Sequence, residues 1–227
     1  MWIKICGTTS LEDAHLACEA GANAIGFVFA ASPRHVTPAE VAAITPHLPA
    51  HVEKIGVFVD SPLHAIYSAV RTSGLTGVQL HFEAGPEISA RLHELLGPAL
   101  RILRVVHYGP EAAHAVSFID QDPHVDAILV DSRTGTAVGG TGTAFDWEEA
   151  RVSVFQSQHG RKRIAAGGLN PENVAEAVAR LQPWGVDVVS GVEAEPGRKD
   201  RYKLMEFVRN ARGHLAETQT LQSAIRE

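Results

Sequence analysis

Two side chains that can move protons stand where short apolar segments end. Cys6 follows the apolar segment 2–5, and Asp131 follows the apolar segment 127–130. A thiolate can act as a general base or a nucleophile, whereas a carboxyl group in an apolar setting can stay protonated and act as a general acid. The pair predicts acid–base chemistry on one substrate if the fold brings the two segment ends together.

Each of these residues also has a purely structural interpretation. Cys6 can be a small apolar side chain at the end of a strand, and Asp131 can cap the turn at Ser132 and Arg133. The surroundings of Cys6 favour chemistry, because Lys4 lies on the same face of an extended segment and a helix is expected to begin near residue 10. These neighbours favour the thiolate form, and we therefore expect Cys6 to act as a general base or a nucleophile.

Three glycine-rich segments can bind an anion through backbone N–H groups. The first, residues 135–142, is equally consistent with a flexible lid or a long turn, because glycine clusters are weakly specific. The other two follow later apolar segments and are shorter. The candidate ligand-binding residues in the three segments are Gly140 and Gly142, Gly167 and Gly168, and Ser190 and Gly191.

Two further polar residues follow apolar segments. Arg34 can pair with a substrate carboxylate or phosphate through two parallel hydrogen bonds, the alternative being a solvated surface arginine. His81 can bind or orient a ligand. His47 and His51 have a spacing seen in metal sites, but Pro49 breaks the helix that would align them, so we expect no metal site.

Strand-like and helix-like segments alternate along the chain, and the strand starts lie about 26 residues apart. This spacing suits one strand, one helix and two short loops. The predicted strands are 2–6, 24–29, 54–59, 77–80, 101–106, 126–131, 162–166 and 185–189. The predicted helices are 11–20, 38–45, 62–72, 86–96, 110–118, 147–156, 171–181 and 199–211.

Eight alternating units predict a single-domain α/β protein, a (β/α)₈ TIM barrel. An open doubly wound sheet would carry G-x-G-x-x-G after the first strand, and residues 6–10 lack it. In a barrel the active site forms at the carboxyl ends of the strands, and loops after strands seven and eight often bind phosphate. We expect a catalytic barrel over residues 1–211 and a tail of unknown role over 212–227.

Composition excludes several classes of protein. The 227 residues are 45% apolar, and 20 basic against 26 acidic residues give a net charge of −6, so nucleic acid is not an expected partner. No segment predicts a signal peptide or a membrane span, and we expect a cytoplasmic protein. We expect no disulfide between the two cysteines, Cys6 and Cys18, in a reducing compartment. Cys18 is expected to be an unreactive residue of the core.

These motifs together resemble the phosphoribosylanthranilate isomerases of tryptophan biosynthesis. The resemblance covers about residues 2–208, in family order at almost every strand end. The residues that carry it are Lys4-Ile5-Cys6-Gly7, Gly26-Phe27-Val28-Phe29, Ser32-Pro33-Arg34, Gly56-Val57-Phe58, Val78-Gln79-Leu80-His81, Asp131-Ser132, Gly139-Gly140-Thr141-Gly142, Phe145-Asp146-Trp147, Ala166-Gly167-Gly168-Leu169, Ser190-Gly191-Val192-Glu193, Pro196-Gly197 and Lys199-Asp200.

The resemblance implies a role for each candidate. Cys6 falls on the family's general base, Asp131 on its general acid and Arg34 on a position that binds the anthranilate part, while the two late glycine segments fall on the phosphate site. The family needs no cofactor, because the substrate nitrogen serves as the electron sink. Phe82, Thr143-Ala144 and Val189 depart from the family pattern.

Two other functions stay open at this point. One is a barrel that binds a flavin or a sugar phosphate without catalysis, although binding alone would not require Cys6 and Asp131. The other is an aminoaldose isomerase of dual specificity that also acts in histidine biosynthesis, a family that typically carries a carboxylate where Cys6 stands. We expect a phosphorylated small molecule as substrate, no membrane partner, and a monomer or homodimer.

Overall fold

The chain forms a closed barrel of eight parallel strands, which confirms the predicted (β/α)₈ fold. In the computed structural model, residues 1–82, 85–132, 147–156 and 160–224 are described. The strands pair in sequence order, and the eighth closes on the first. They are β1 Trp2–Ile5, β2 Ala24–Val28, β3 Glu53–Phe58, β4 Gly77–Leu80, β5 Arg101–His107, β6 Ala127–Asp131, β7 Lys162–Ala166 and β8 Gly185–Val188.

Helices cover the outside of the barrel. They are α1 Leu11–Ala20, α2 Pro38–Ile44, α3 Leu63–Ser73, α4 Pro86–Leu96, α5 Ala112–Asp120, α6 Trp147–Ala150, α7 Val174–Leu181 and α8 Arg201–Ala224. Most boundaries lie within three residues of the predicted ones. The segment predicted as a helix over 147–156 changes from α to π geometry at Arg151. Within the described ranges, none of the helices has the length and apolar character needed to cross a bilayer.

The chain after β8 differs most from the prediction. A short antiparallel hairpin, β9 Glu193–Glu195 with β10 Arg198–Lys199, precedes the last helix. That helix then continues through Ala224 instead of ending at residue 211. Sequence periodicity missed the hairpin because its strands are only three and two residues long. The division of the chain into a barrel and a separate tail stays a prediction.

Local side-chain chemistry explains where helices begin and end. The Ser10 side chain accepts a hydrogen bond from the Asp13 N–H at the start of α1, and Gly21 ends the helix in the left-handed conformation. At α2, Thr37 and Glu40 exchange hydrogen bonds in a capping box. These caps hold the loops that connect strand ends to helices, and the loops at one end carry the candidate site.

Alternation along the strands separates two cores. One lies between the sheet and the helices and contains most of the buried apolar residues. The other fills the barrel interior below the candidate site, with inward-facing side chains at every second strand position. Its members are Trp2, Ala24, Ile55, Leu103, Ala127, Leu129, Ile164 and Ala166. By the same alternation Lys4 and Cys6 of the first strand segment point inward.

Candidate active site

A cavity opens at the carboxyl ends of the barrel strands, where the sequence placed the site. It brings together seven of the ten predicted site residues: Cys6, Arg34, His81, Asp131, Gly167, Gly168 and Ser190. Gly191 lies beside the cavity but does not line it. Gly140 and Gly142 fall outside the described residues. The structure therefore places residues that follow six different strands around one space, as a single small substrate would require.

Cys6 lies at the floor of this cavity, directly after β1, and is almost fully buried. A glycine on the neighbouring strand makes room for it. A β-carbon at Gly26 would stand 2.6 Å from Cys6 Sγ and 3.0 Å from Lys4 Cε. The backbone of β2 therefore approaches the thiol closely, and any larger residue at this position would displace the sulfur.

Below Cys6, a buried ion pair joins the neighbouring strands β1 and β8, on which Lys4 and Asp187 are paired in register. Lys4 is fully buried, and its Nζ donates to Asp187 Oδ1 of β8 at 2.9 Å. Burial lowers the pKa of Lys4, but the charge of Asp187 and the neighbouring Cys6 raise it more, so the ammonium stays charged. The sequence predicted that Lys4 lies inside the barrel, but Asp187 was not predicted as a site residue. It could have been recognised as an acidic residue between the two valines of β8.

The structure reverses the expected direction of the pKa shift at Cys6. Burial raises the pKa of the Cys6 thiol, and the charge of Lys4, which lowers the pKa, only partly offsets the burial. The charge of Asp187 raises it further. The lowering of the Cys6 pKa that its neighbours predicted is not found, because the thiol has lost its water and its cationic neighbour is shared with a carboxylate.

Asp131 ends β6 on the opposite side of the cavity. It pairs in register with His107 of β5 and with Ala166 of β7. The next residue, Ser132, donates its hydroxyl to the Gly167 carbonyl at 2.8 Å. A β-carbon at Gly167 would overlap the Asp131 carboxylate, so the glycine allows the loop after β7 to pass against the acid. The contact with the loop after β7 therefore fixes the position of the Asp131 carboxylate at the cavity.

His81 and a second histidine stand beside Asp131. His81 Nε2 lies 3.1 Å from His107 Nε2, and a ring nitrogen of each histidine lies within 4.8 Å of a carboxylate oxygen of Asp131. Burial lowers the pKa of His81, and the neighbouring His107 lowers it further. His81 was predicted from the sequence and His107 was not, although alternation along β5 places His107 inward at the cavity rim.

Arg34 does not present a free guanidinium to the cavity. Its Nε and Nη2 donate to Glu193 at 2.8 and 2.6 Å, in a bidentate ion pair with a buried carboxylate. Lys199 Nζ also donates to Glu193, at 3.1 Å, and to the Cys6 carbonyl at 2.6 Å. The hairpin thus holds Arg34 over the end of β1, a connection that short-range sequence patterns do not show.

The two late glycine segments meet at the cavity edge. Gly167 and Gly168 both have positive φ, 88° and 66°, which side chains rarely adopt. Among the described residues, a β-carbon at Gly168 would meet no atom within 4 Å, so the backbone there is open on that side. Gly191 has a different reason to be glycine, because its α-carbon packs against the Leu169 carbonyl. Ser190 begins a short 3₁₀ turn on the same edge.

Comparison with known proteins agrees with this geometry. The profile of the family described as N-(5'phosphoribosyl)anthranilate (PRA) isomerase matches residues 3–210. An N-(5'-phosphoribosyl)anthranilate isomerase of Pelobacter propionicus is 42% identical over 217 residues, which cover 95% of this chain and 98% of the relative.

Solved structures show the same likeness. The phosphoribosyl anthranilate isomerase of Thermotoga maritima is 36% identical, with a TM-score of 0.78 over 94% of this chain and 99% of the relative. A phosphoribosyl anthranilate isomerase in complex with reduced 1-(o-carboxyphenylamino)-1-deoxyribulose 5-phosphate is 34% identical, with a TM-score of 0.76 over the same shares of the two chains. The chain belongs to the N-(5'-phosphoribosyl)anthranilate isomerase family.

Proposed function

We propose that this chain isomerises N-(5'-phosphoribosyl)anthranilate to 1-(2-carboxyphenylamino)-1-deoxyribulose 5-phosphate through proton transfers by Cys6 and Asp131. The family and its relatives support the reaction, an aldose–ketose isomerisation in tryptophan biosynthesis. One observation supports the two residues most directly: a thiol after β1 and a carboxyl group at the end of β6 line one cavity. Catalysis by proton transfer requires both groups within reach of the same substrate.

The first proton moves to the sugar ring. Asp131 protonates the furanose oxygen while the lone pair of the anilino nitrogen displaces it from C1', and the ring opens to an iminium ion. The carboxyl group suits this step because it faces the cavity next to Gly167, where the absence of a side chain leaves the ring oxygen room to approach. Asp131 is then left as the carboxylate.

The second proton leaves C2'. The iminium group acidifies this carbon, and the Cys6 thiolate removes the proton to give an enolamine, which tautomerises to the ketone product. Burial raises the pKa of Cys6 and so disfavours the thiolate that this step needs. The charged Lys4 below the sulfur opposes the burial effect, and we assign it the role of stabilising the thiolate when it forms.

The ends of the substrate occupy opposite sides of the cavity. We assign the phosphate to backbone N–H groups at Gly167, Gly168 and Ser190, where the glycines permit close approach. Gly191 supports that edge, and Gly140 and Gly142 are assigned to the same ligand from the sequence alone. The anthranilate carboxylate is assigned to Arg34 Nη1 and His81. The substrate nitrogen is the electron sink, so the proposed steps use no cofactor.

The reaction is tested by supplying the purified chain with N-(5'-phosphoribosyl)anthranilate and following anthranilate fluorescence. The product is identified by the carbon NMR signal of a new ketone, since substrate and product have the same mass. The histidine-pathway aminoaldose is assayed in parallel. Turnover of the anthranilate substrate alone is the expected result. Turnover of neither substrate would contradict the proposal.

A further inference from the structure

Among the described residues, a histidine that the proposed reaction does not use, His107, faces His81 and stands beside the Asp131 carboxylate. His81, His107 and Asp131 come from the ends of three neighbouring strands, β4, β5 and β6. We propose that these three residues form an inhibitory site for Zn²⁺ at the mouth of the barrel. The binding rests on geometry alone, whereas the inhibition also rests on the proposed role of Asp131.

The distances suit a small divalent ion. Zinc binds histidine nitrogen and carboxylate oxygen at about 2.0–2.2 Å, so ligands at adjacent tetrahedral corners stand about 3.3 Å apart. The two Nε2 atoms are 3.1 Å apart, and all three candidate ligand atoms lie within 4.8 Å of one another. Small side-chain rotations would complete three corners of a tetrahedron and leave the fourth for water.

The backbone holds the three ligands in place. His107 and Asp131 are paired across β5 and β6, and the His81 N–H donates to the Phe58 carbonyl at 2.9 Å. His107 is exposed, so an ion has access from solvent. A site on adjacent strands needs little reorganisation on binding, unlike one assembled from loops.

A bound zinc ion would stop the isomerase in two ways. It would keep Asp131 as a metal-bound carboxylate that has no proton to donate to the sugar ring. It would also occupy the space beside His81, which lines the substrate cavity. Inhibition should therefore follow occupancy of the metal site and reverse when a chelator removes the ion.

A second histidine pair provides an internal comparison. His93 Nδ1 lies 3.1 Å from His124 Nδ1, but the other ring nitrogen of His93 contacts the Leu100 carbonyl at 2.9 Å. No third ligand joins this pair among the residues that the structure describes. His124→Asn is thus the matched control for His107→Asn: each removes one imidazole from a facing pair.

The test measures Zn²⁺ binding by calorimetry on the untagged chain, with the visible spectrum of Co²⁺ as a second readout. We expect one tight ion per chain, at least tenfold weaker binding in His107→Asn, and unchanged binding in His124→Asn and Cys6→Ser. Equal binding in wild type and His107→Asn would overturn the site. Loss of binding in His124→Asn or Cys6→Ser would also overturn it, because the ligands would then be elsewhere.

The inhibition is measured separately. His107→Asn should keep near wild-type turnover without zinc and need at least tenfold more Zn²⁺ for half-inhibition. If zinc binds through His107 and wild-type turnover does not change, the inhibitory role is wrong. If the chain has no isomerase activity at all, the proposed function fails, and the calorimetric comparison still decides the metal site.

Discussion

The Lys4 ammonium lies 2.9 Å from the Asp187 carboxylate in the barrel interior, directly below Cys6. The two charges act on the thiol in opposite directions: Lys4 lowers the pKa of Cys6 and Asp187 raises it. Burial remains the largest effect and makes the net shift upward. The pH below which kcat/KM falls should therefore depend on the charges of both Lys4 and Asp187.

We expect Asp187→Asn to move the acid limb of kcat/KM to lower pH, because removing the negative charge favours the Cys6 thiolate. Lys4→Met should move the limb to higher pH. Profiles from about pH 6 to 10 measure both shifts. A merely structural ion pair would lower kcat/KM in both variants without moving the limb in opposite directions.

Removing either proton-transfer group should abolish most of the turnover. Cys6→Ala and Asp131→Asn should each lower kcat on the order of 10²- to 10⁴-fold, because each deletes a positioned base or acid. Circular dichroism should show a retained barrel. Turnover near the wild-type value in either variant would mean that another residue moves that proton.

The space that Gly26 leaves for the thiol should be needed for full activity. Gly26→Ala places a β-carbon 2.6 Å from Cys6 Sγ, so the sulfur must shift and kcat should fall by at least tenfold. The control is Gly213→Ala in α8, where a β-carbon meets none of the described atoms within 4 Å. It should gain about 0.5–1 kcal/mol in stability and keep full activity. Equal activity in the two variants would contradict the predicted sulfur displacement.

Glu193 pairs with the buried Lys199 and the half-buried Arg34, and its loss should affect stability and substrate affinity together. Glu193→Gln leaves the buried Lys199 without its counter-charge, which should cost about 3 kcal/mol of unfolding free energy. It also releases Arg34, so KM should rise more than kcat falls. Urea unfolding and steady-state kinetics measure the two effects, and an unchanged KM would show that Arg34 does not need this support.

The lowered pKa of Glu193 predicts that the folded protein loses stability at acid pH. Burial alone would raise the pKa of Glu193, but hydrogen bonds from Arg34 and the charge of Lys199 lower it overall. The stabilisation is complete above about pH 4.3, the unfolded value, and is lost as pH falls through the lower folded value. Unfolding measured across this range should show the loss in wild type and a smaller one in Glu193→Gln.

Phosphate binding should depend on the open backbone at Gly168. Gly168→Ala should raise KM by tenfold or more and weaken competitive inhibition by inorganic phosphate, because the methyl group obstructs the ligand. The positive φ adds about 1 kcal/mol of strain. Gly97→Ala, with φ of 92° and open space at the other end of the barrel, is the control for strain. Equal phosphate inhibition in both variants would place the phosphate elsewhere.

The order of elements and much of the site could be predicted from the sequence. Alternation with period two and the spacing of apolar runs are local properties, so they indicate eight strands, the inward position of Lys4, and strand ends that carry Cys6 and Asp131. Closure follows, because parallel strands with covering helices leave no exposed edge once eight units meet. The family motifs lie at those same strand ends.

The partners and the electrostatics were decided only by the tertiary structure. Asp187 is 183 residues from Lys4, and Glu193 is 159 residues from Arg34, so no short-range pattern joins them. The sequence suggested a thiolate at Cys6 from its neighbours along the chain, whereas burial by the whole barrel makes the pKa rise. The pKa of a buried group depends on the desolvation and the charges contributed by every strand that surrounds it. These contributions act together only in the closed barrel.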